Sequence, residues 1–411
     1  MMSPLGVEVR YVDDLKGKGL FAVRAFKAGE VVFEEQPLVC CQFAWNQAYG
    51  YLSCDYCMRP LESAEENARR LSGKPELVLP YPQCCVTAKN QHTECGACGV
   101  RYCSVSCLEQ AWAKYHRTLC TQARTRDASL GQHPLDMLND AWKQMHYPPE
   151  TTSIMLLARI IAMIHQENDK ERIMHTFMQF CHRVVNHEDE IAHKLLGEQF
   201  QGQLEMLRTL ILQALPSDNA SHNWLTPEGF RSLVALVGTN GQGVGTSSLS
   251  EWVKKVSALS LGPPDKQALD VFINKLYDDL EEVVGSFLNC EGSALYSLQS
   301  SCNHSCIPNA EPSFPYSDFR LVMTATRNVQ PGDEITISYL DECTLERSRH
   351  SRLKMLRENY LFNCQCIKCE AQAGDPDITS DDEGDNDSEE ELMDDECVEN
   401  GATNMGVNPP Q

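Results

Sequence analysis

The chain has 411 residues, 42% of them hydrophobic, with 20 cysteines and a formal net charge of -23. That length allows two or three domains and that apolar fraction a real core, while the acidic balance argues against direct nucleic-acid binding and for basic protein partners. No charged-apolar-small leader opens the sequence, and its longest apolar stretch, Ser153 to His165, is interrupted by Arg159 and too short to span a bilayer, so neither a signal peptide nor a membrane association is expected.

Residues 5–40 read as strands. Val7, Val9 and Tyr11 alternate, Lys16-Gly17-Lys18-Gly19 turns the chain, and Leu20 to Val23 and Val31-Val32-Phe33 follow, joined by a tight turn at Lys27-Ala28-Gly29. A cysteine-rich block runs from 54 to 120. In a long, leaderless chain, cysteines at metal-ligand spacing imply zinc and not disulfides. The block offers Cys54-x2-Cys57, Cys95-x2-Cys98, Cys103-x3-Cys107 and His116-x3-Cys120, enough for two closed four-coordinate sites. Cys103 with Cys107 and His116 with Cys120 are each four apart, so on a helix each pair shares a face. The 37 residues between Cys57 and Cys95 contain Cys84, Cys85 and His92, which could replace a ligand. The alternative is a chance Cys54–Cys57 pair and a single zinc. Within the block, 62–72 reads as helix and Gly73 to Pro82 as loop. Cys40, Cys41, Cys181, Cys290, Cys302 and Cys343 read as ordinary small, mostly buried residues.

From Pro148-Pro149 the pattern turns helical. Ile154, Leu157, Ile161 and Ile164 fit a 3.6-residue period, as do Leu195, Leu196, Leu204, Leu207 and 210–212. Gly238 to Gly245 reads as a flexible interruption, and 265–288 as an amphipathic helix through Leu269, Phe272, Ile273, Leu276, Leu280 and Val284. Short strands lead to Tyr339, then a helix over about 344–359. Cys364-x-Cys366-x2-Cys369 leaves a tetrahedral zinc one ligand short, and Cys306 is a candidate for the fourth. From Asp375 to Glu399 there are 14 acidic residues and no Lys or Arg. Such a segment cannot bury enough apolar surface to offset its ordering entropy and should be disordered.

Asn303-His304-Ser305-Cys306-Ile307-Pro308-Asn309, Gly332-Asp333-Glu334-Ile335-Thr336-Ile337-Ser338-Tyr339 and the CxCxxC run stand in an order that resembles the SET and MYND domain-containing protein-lysine methyltransferases. The resemblance covers about residues 5–370, with 125–290 matching loosely. It implies an α+β SET fold of short β-sheets with a knot-like crossing. Residues 1–53 would begin the SET domain, 54–120 form a MYND zinc module, and 121–288 form a helical insertion. Residues 289–343 would be the SET core, 344–372 a post-SET zinc segment, and 373–411 a disordered acidic tail. Many family members continue into a helical-repeat domain after CxCxxC; this sequence continues into the acidic tail, which leaves substrate choice open.

The resemblance also implies roles. One zinc would take Cys54, Cys57, Cys103 and Cys107, a second Cys95, Cys98, His116 and Cys120, and a third Cys306, Cys364, Cys366 and Cys369, all three ions structural. Tyr339, at the end of a strand, would point its hydroxyl at the methyl transferred from S-adenosylmethionine, with Tyr360 as the second channel tyrosine. Lys16, Lys18, Asn240, Asn303, His304, Tyr339 and Phe362 would bind that cofactor. The expected activity is lysine N-methylation of a basic protein, a histone tail or a ribosomal protein, by a monomer in the cytoplasm and the nucleus. The rival reading is a catalytically weak zinc scaffold binding proline-containing peptides through the MYND module. Tyr339, the Asn-His pair and the post-SET cysteines are all present, which favours the enzyme.

Overall fold

A computed structural model describes residues 6–13, 16–120, 132–145, 152–181, 200–215, 221–285 and 288–376. The expected helix through Leu195 and Leu196 and most of the acidic tail lie outside them. The chain divides into two compact units: residues 1–304 with 308–337, and residues 305–307 with 338–411.

Among the described residues, the first unit holds four small sheets. Strands β1 (Val7–Asp13), β2 (Gly17–Ala22), β12 (Glu334–Ile337) and β9 (Asn303–His304) form one, in the order β1-β2-β12-β9. In it β12 runs antiparallel to β2 and parallel to β9, pairing Thr336 with Asn303 and Ile337 with His304. Strands β3 (Val31–Glu35), β10 (Ala310–Ser313) and β11 (Leu321–Ala325) make a second sheet, and β4 (Val39–Gln42), β7 (Gln242–Thr246) and β8 (Cys290–Leu295) a third. The pair β5 (Thr93–Glu94) and β6 (Arg101–Tyr102) lies in the cysteine-rich block.

The helix Ile154–Gln166 is apolar on every face and buried on nearly all of them, Ile154 and Leu156 through Ile164 inclusive. An all-round apolar helix belongs inside a core. No described helix is long and apolar enough to cross a membrane.

The expected strand forms as β1, at the edge of its sheet, with Val7 buried and Val9 and Tyr11 exposed. One expectation changes here, that of a flexible interruption at Gly238 to Gly245. The glycine-rich stretch 238–245 is ordered; it ends the helix Pro227–Asn240 and becomes β7, held by five register pairs to β8. Cross-strand pairing overrides a composition that reads as loop. Among the remaining cysteines, Cys40, Cys41, Cys290 and Cys302 are buried, but Cys181 and Cys343 are exposed.

The second unit is built around Leu340, Leu353 and Leu356 with Cys306, Cys364 and Cys369. Two helices, Glu342–Glu346 and Arg349–Tyr360, replace the single helix expected over 344–359. The break falls at Arg347, whose extended backbone (φ -66°, ψ 167°) stops the first helix before Ser348 caps the second.

Candidate active site and zinc centres

In the first unit a carboxylate that lies inside the Gly332 to Tyr339 run, but to which its spacing gives no role, organises the residues expected to meet the cofactor. Glu334, on β12, accepts from the Asn303 side-chain amide at 2.7 Å and pairs with Lys16 Nζ at 3.4 Å. Asn303 also donates to the Lys18 carbonyl at 3.0 Å. Glycines make the approach possible. Gly17 takes φ +68°, which only glycine adopts cheaply, and a Cβ on Gly19 would stand 2.9 Å from Glu334 Oε1. Lys18 Nζ donates to the Gln179 side chain and to its carbonyl at 3.3 Å. Two residues on, the Cys181 N–H and carbonyl are both held by the Asn240 side-chain amide, at 3.3 and 2.6 Å. Asn240 therefore fastens the segment that Lys18 touches. His304 is buried on β9.

Glu35 holds the turn that leads into Asn303. Its carboxylate accepts the backbone N–H groups of Leu298 and Gln299 at 2.9 and 3.2 Å, capping the 3-10 turn Gln299–Ser301 that precedes Asn303. Burial raises the Glu35 carboxyl above its ordinary range, and these amides act in the opposite direction.

In the second unit, Tyr339 does not end the strand as expected. β12 stops at Ile337, and the Ser338 hydroxyl accepts the Leu340 N–H at 3.1 Å, turning the chain so that Tyr339 sits in the bend. Its ring lies 4.8 Å from that of Tyr360 and 6.3 Å, edge-on, from that of Phe362. Tyr360 ends its helix, and Leu361, in the left-handed region at φ +60°, swings the chain back so that Phe362 joins the group. The Tyr360 hydroxyl donates to the Tyr339 carbonyl at 3.4 Å, and burial raises its phenol, which stays neutral.

The twelve expected metal ligands gather into three groups: Cys54, Cys57, Cys103 and Cys107; Cys95, Cys98, His116 and Cys120; Cys306, Cys364, Cys366 and Cys369. In each, the ligand atoms all lie within 4.8 Å of one another. Sγ–Sγ separations of 3.6 Å (Cys57–Cys103), 3.8 Å (Cys95–Cys120) and 3.6 Å (Cys306–Cys369) are too long for disulfides. They match the edge of about 3.8 Å that a tetrahedron of 2.3 Å zinc–sulfur bonds requires. The three donor sets fit zinc; Cys84, Cys85 and His92 stand outside them.

The two CxxC turns are built alike. The residue after the second cysteine takes a left-handed conformation in each, Met58 at φ +63° and Gly99 at φ +74°. Its N–H bonds the first cysteine's carbonyl, Met58 to Cys54 at 2.9 Å and Gly99 to Cys95 at 2.8 Å. The four-apart pairs do not share helical faces as expected. Cys103 precedes the helix Val105–Ala111, which Ser104 caps, and His116 closes a π-turn, Trp112–His116. Gln166 holds that π-turn open: its amide donates to the Trp112 and Ala113 carbonyls at 2.9 and 2.8 Å and accepts the Thr118 N–H at 2.8 Å. Seven residues earlier on the same helix, buried Arg159 donates to the Cys40 carbonyl at 2.6 Å, the Asp55 carbonyl at 2.8 Å and the Tyr115 hydroxyl at 3.0 Å, and pairs with the Asp55 carboxylate at 2.5 Å. The cysteine-rich block is thus bolted to the central helix. Its only forewarning in sequence was an arginine inside an otherwise apolar run.

The SET domain family model matches residues 17–340. With 324 of 411 residues matched, the chain belongs to the SET-domain family of protein-lysine methyltransferases. It is 56% identical over 376 residues to the protein-lysine N-trimethyltransferase SMYD5 of Gallus gallus, covering 92% of this chain and 89% of that protein. Identity to the SMYD5 of Homo sapiens is 55% with the same coverage. The histone-lysine N-methyltransferase SMYD3 of Mus musculus is more distant, 24% identical over 385 residues that cover 93% of this chain and 65% of that protein.

Proposed function

We propose that the protein transfers methyl groups from S-adenosylmethionine to a lysine of a basic protein, a histone tail or a ribosomal protein, with three structural zinc ions holding the site residues. The observation that carries this reading is the packing of Tyr339, Tyr360 and Phe362 against the Cys306–Cys364–Cys369 cluster. When bound, S-adenosylmethionine supplies a methyl group already activated on a sulfonium. The work left to the chain is to exclude water and align the lysine amine. The lysines and Asn303 organised by Glu334 are suited to a carboxylate and an amine, and Phe362 to an aromatic base. The Tyr339 hydroxyl orients the amine. Methyl transfer from labelled S-adenosylmethionine to a panel of histones and ribosomal proteins tests this; no transfer to any protein, by a preparation that holds its zinc, would refute it.

Three zinc ions per chain are expected from the twelve ligands. Elemental analysis of the purified protein checks the count, and Cys54→Ser should lose one ion. A count of two or fewer with no loss on that substitution supports the single-zinc reading of the block.

The basic substrate follows from charge. Subtracting the 14 acidic residues of the tail from -23 still leaves -9 on the rest of the chain. An acidic surface raises encounter with a cationic chain, an effect that salt weakens. Truncation after Gly374 should raise the substrate KM at low salt and leave kcat alone. A fall in KM would instead make the tail an inhibitor, and a neutral or acidic peptide emerging as best substrate would sink the charge argument.

A further inference from the structure

Among the described residues, the second unit contains a fully buried guanidinium whose hydrogen bonds go to two sulfurs and two neutral oxygens. Arg352, on the helix Arg349–Tyr360, is 0% exposed. Its Nε donates to Cys306 Sγ at 3.4 Å and one terminal nitrogen to Cys369 Sγ at 3.6 Å. The remaining contacts are neutral, the Arg347 carbonyl at 2.6 Å and the Gln372 side-chain oxygen at 2.7 Å. Buried charges need a counter-charge. With thiols that requirement goes unmet. With four thiolates on Zn2+ the centre carries a formal charge of -2, and Arg352 brings it to -1.

We propose that Arg352 is the resident counter-cation of the third zinc centre, holding the metal by sharing the negative charge of two of its thiolates. The inference rests on the three-zinc reading. The shape of the guanidinium fork suits this role, because two donors reach two sulfurs while the others are anchored on the helix end and on Gln372. Hydrogen-bonded thiolates are weaker nucleophiles and hold less tightly to incoming protons or electrophiles, so the metal stays bound. Because Tyr339, Tyr360 and Phe362 pack on the same cluster, Arg352 acts on them through the zinc. It is a positioning residue. Cys366 is the half-exposed member of the four ligands and marks where reagents enter.

The test uses the full-length, zinc-loaded protein. Zinc content of the wild type, measured first, tests the three-zinc reading by itself. Zinc release to the chelator 4-(2-pyridylazo)resorcinol is then followed, with N-ethylmaleimide labelling of each cysteine read by mass spectrometry. Arg352→Met should release one zinc equivalent about 10- to 100-fold faster than wild type, which is the affinity typically lost when groups that orient metal ligands are removed, expressed here in the release rate. Labelling of Cys306, Cys364, Cys366 and Cys369 should rise in step, with the other two zinc ions unchanged. Arg352→Lys, which keeps the charge but cannot span both sulfurs, should fall between. Gln372→Ala, which removes only a neutral partner, should release zinc as wild type does. Wild-type release from Arg352→Met, equal acceleration by Gln372→Ala, or faster loss of all three ions together would overturn the proposal. Should Arg352→Met not fold, Arg352→Lys decides alone: faster release of one ion supports the assignment and wild-type release overturns it.

Discussion

Replacing Tyr339 with phenylalanine is expected to remove most methyl transfer while leaving S-adenosylmethionine binding close to normal. The substitution keeps the ring that packs 4.8 Å from Tyr360 and edge-on to Phe362, so the aromatic group survives and only the hydroxyl is lost. Loss of a single preorganised donor typically costs about 100- to 1000-fold in kcat, roughly 2.7–4 kcal/mol. Single-turnover transfer from labelled cofactor gives the rate, and calorimetric titration gives cofactor affinity. Turnover within a few-fold of wild type on a protein substrate would remove this hydroxyl from the mechanism. A parallel collapse of cofactor affinity would instead make Tyr339 a binding residue.

The second large effect is expected far from that tyrosine. Arg159→Leu should destabilise the protein by about 3–5 kcal/mol, because it strands the Asp55 carboxylate, removes a donor from the Cys40 carbonyl and leaves the Asp55 carbonyl only its bond from the Tyr115 hydroxyl. Burial works against the Arg159 charge, and Asp55 together with Tyr115, Cys41 and Cys40 more than restores it. Denaturant unfolding with zinc release followed in parallel measures the loss. Asp55→Leu combined with Arg159→Leu should cost less than the two single changes added together, since the pair leaves no orphaned charge. If the arginine can be replaced for less than about 1 kcal/mol, the cysteine-rich block is held by something else.

The parts of this molecule that were legible in sequence are those whose chemistry is local. A zinc ligand needs a partner two to four residues away, so Cys54–Cys57, Cys95–Cys98 and Cys364–Cys366–Cys369 announce themselves. What spacing could not give is the company each group keeps after folding. Glu334 looked like one more acid in a strand, yet it joins Asn303 to Lys16, which lies 318 residues before it in the chain. Gln166 and Arg352 carry no motif, because their work is done on backbone carbonyls and sulfurs brought in by tertiary packing. The glycines at 243 and 245 misled for the same reason: a strand whose stability comes from its neighbour β8 need not look like one. Met58 was invisible too, since the left-handed turn it occupies is the place where Gly99 stands in the sister turn.

The pairing of β2 with β12 constrains how the chain is made. Phe21 meets Glu334 and Leu20 meets Ile335, so the first sheet joins segments separated by more than 300 residues. As the polypeptide leaves the ribosome, the block from 54 to 120 has its eight ligands in hand early and can take up two metal ions. The N-terminal hairpin must wait until β12 has been synthesised. Closing a loop of that size costs about 5 kcal/mol of chain entropy, and until it closes an apolar strand edge stays open to other chains. Nascent chains stalled short of residue 340 should therefore carry a metallated block beside an unpaired hairpin.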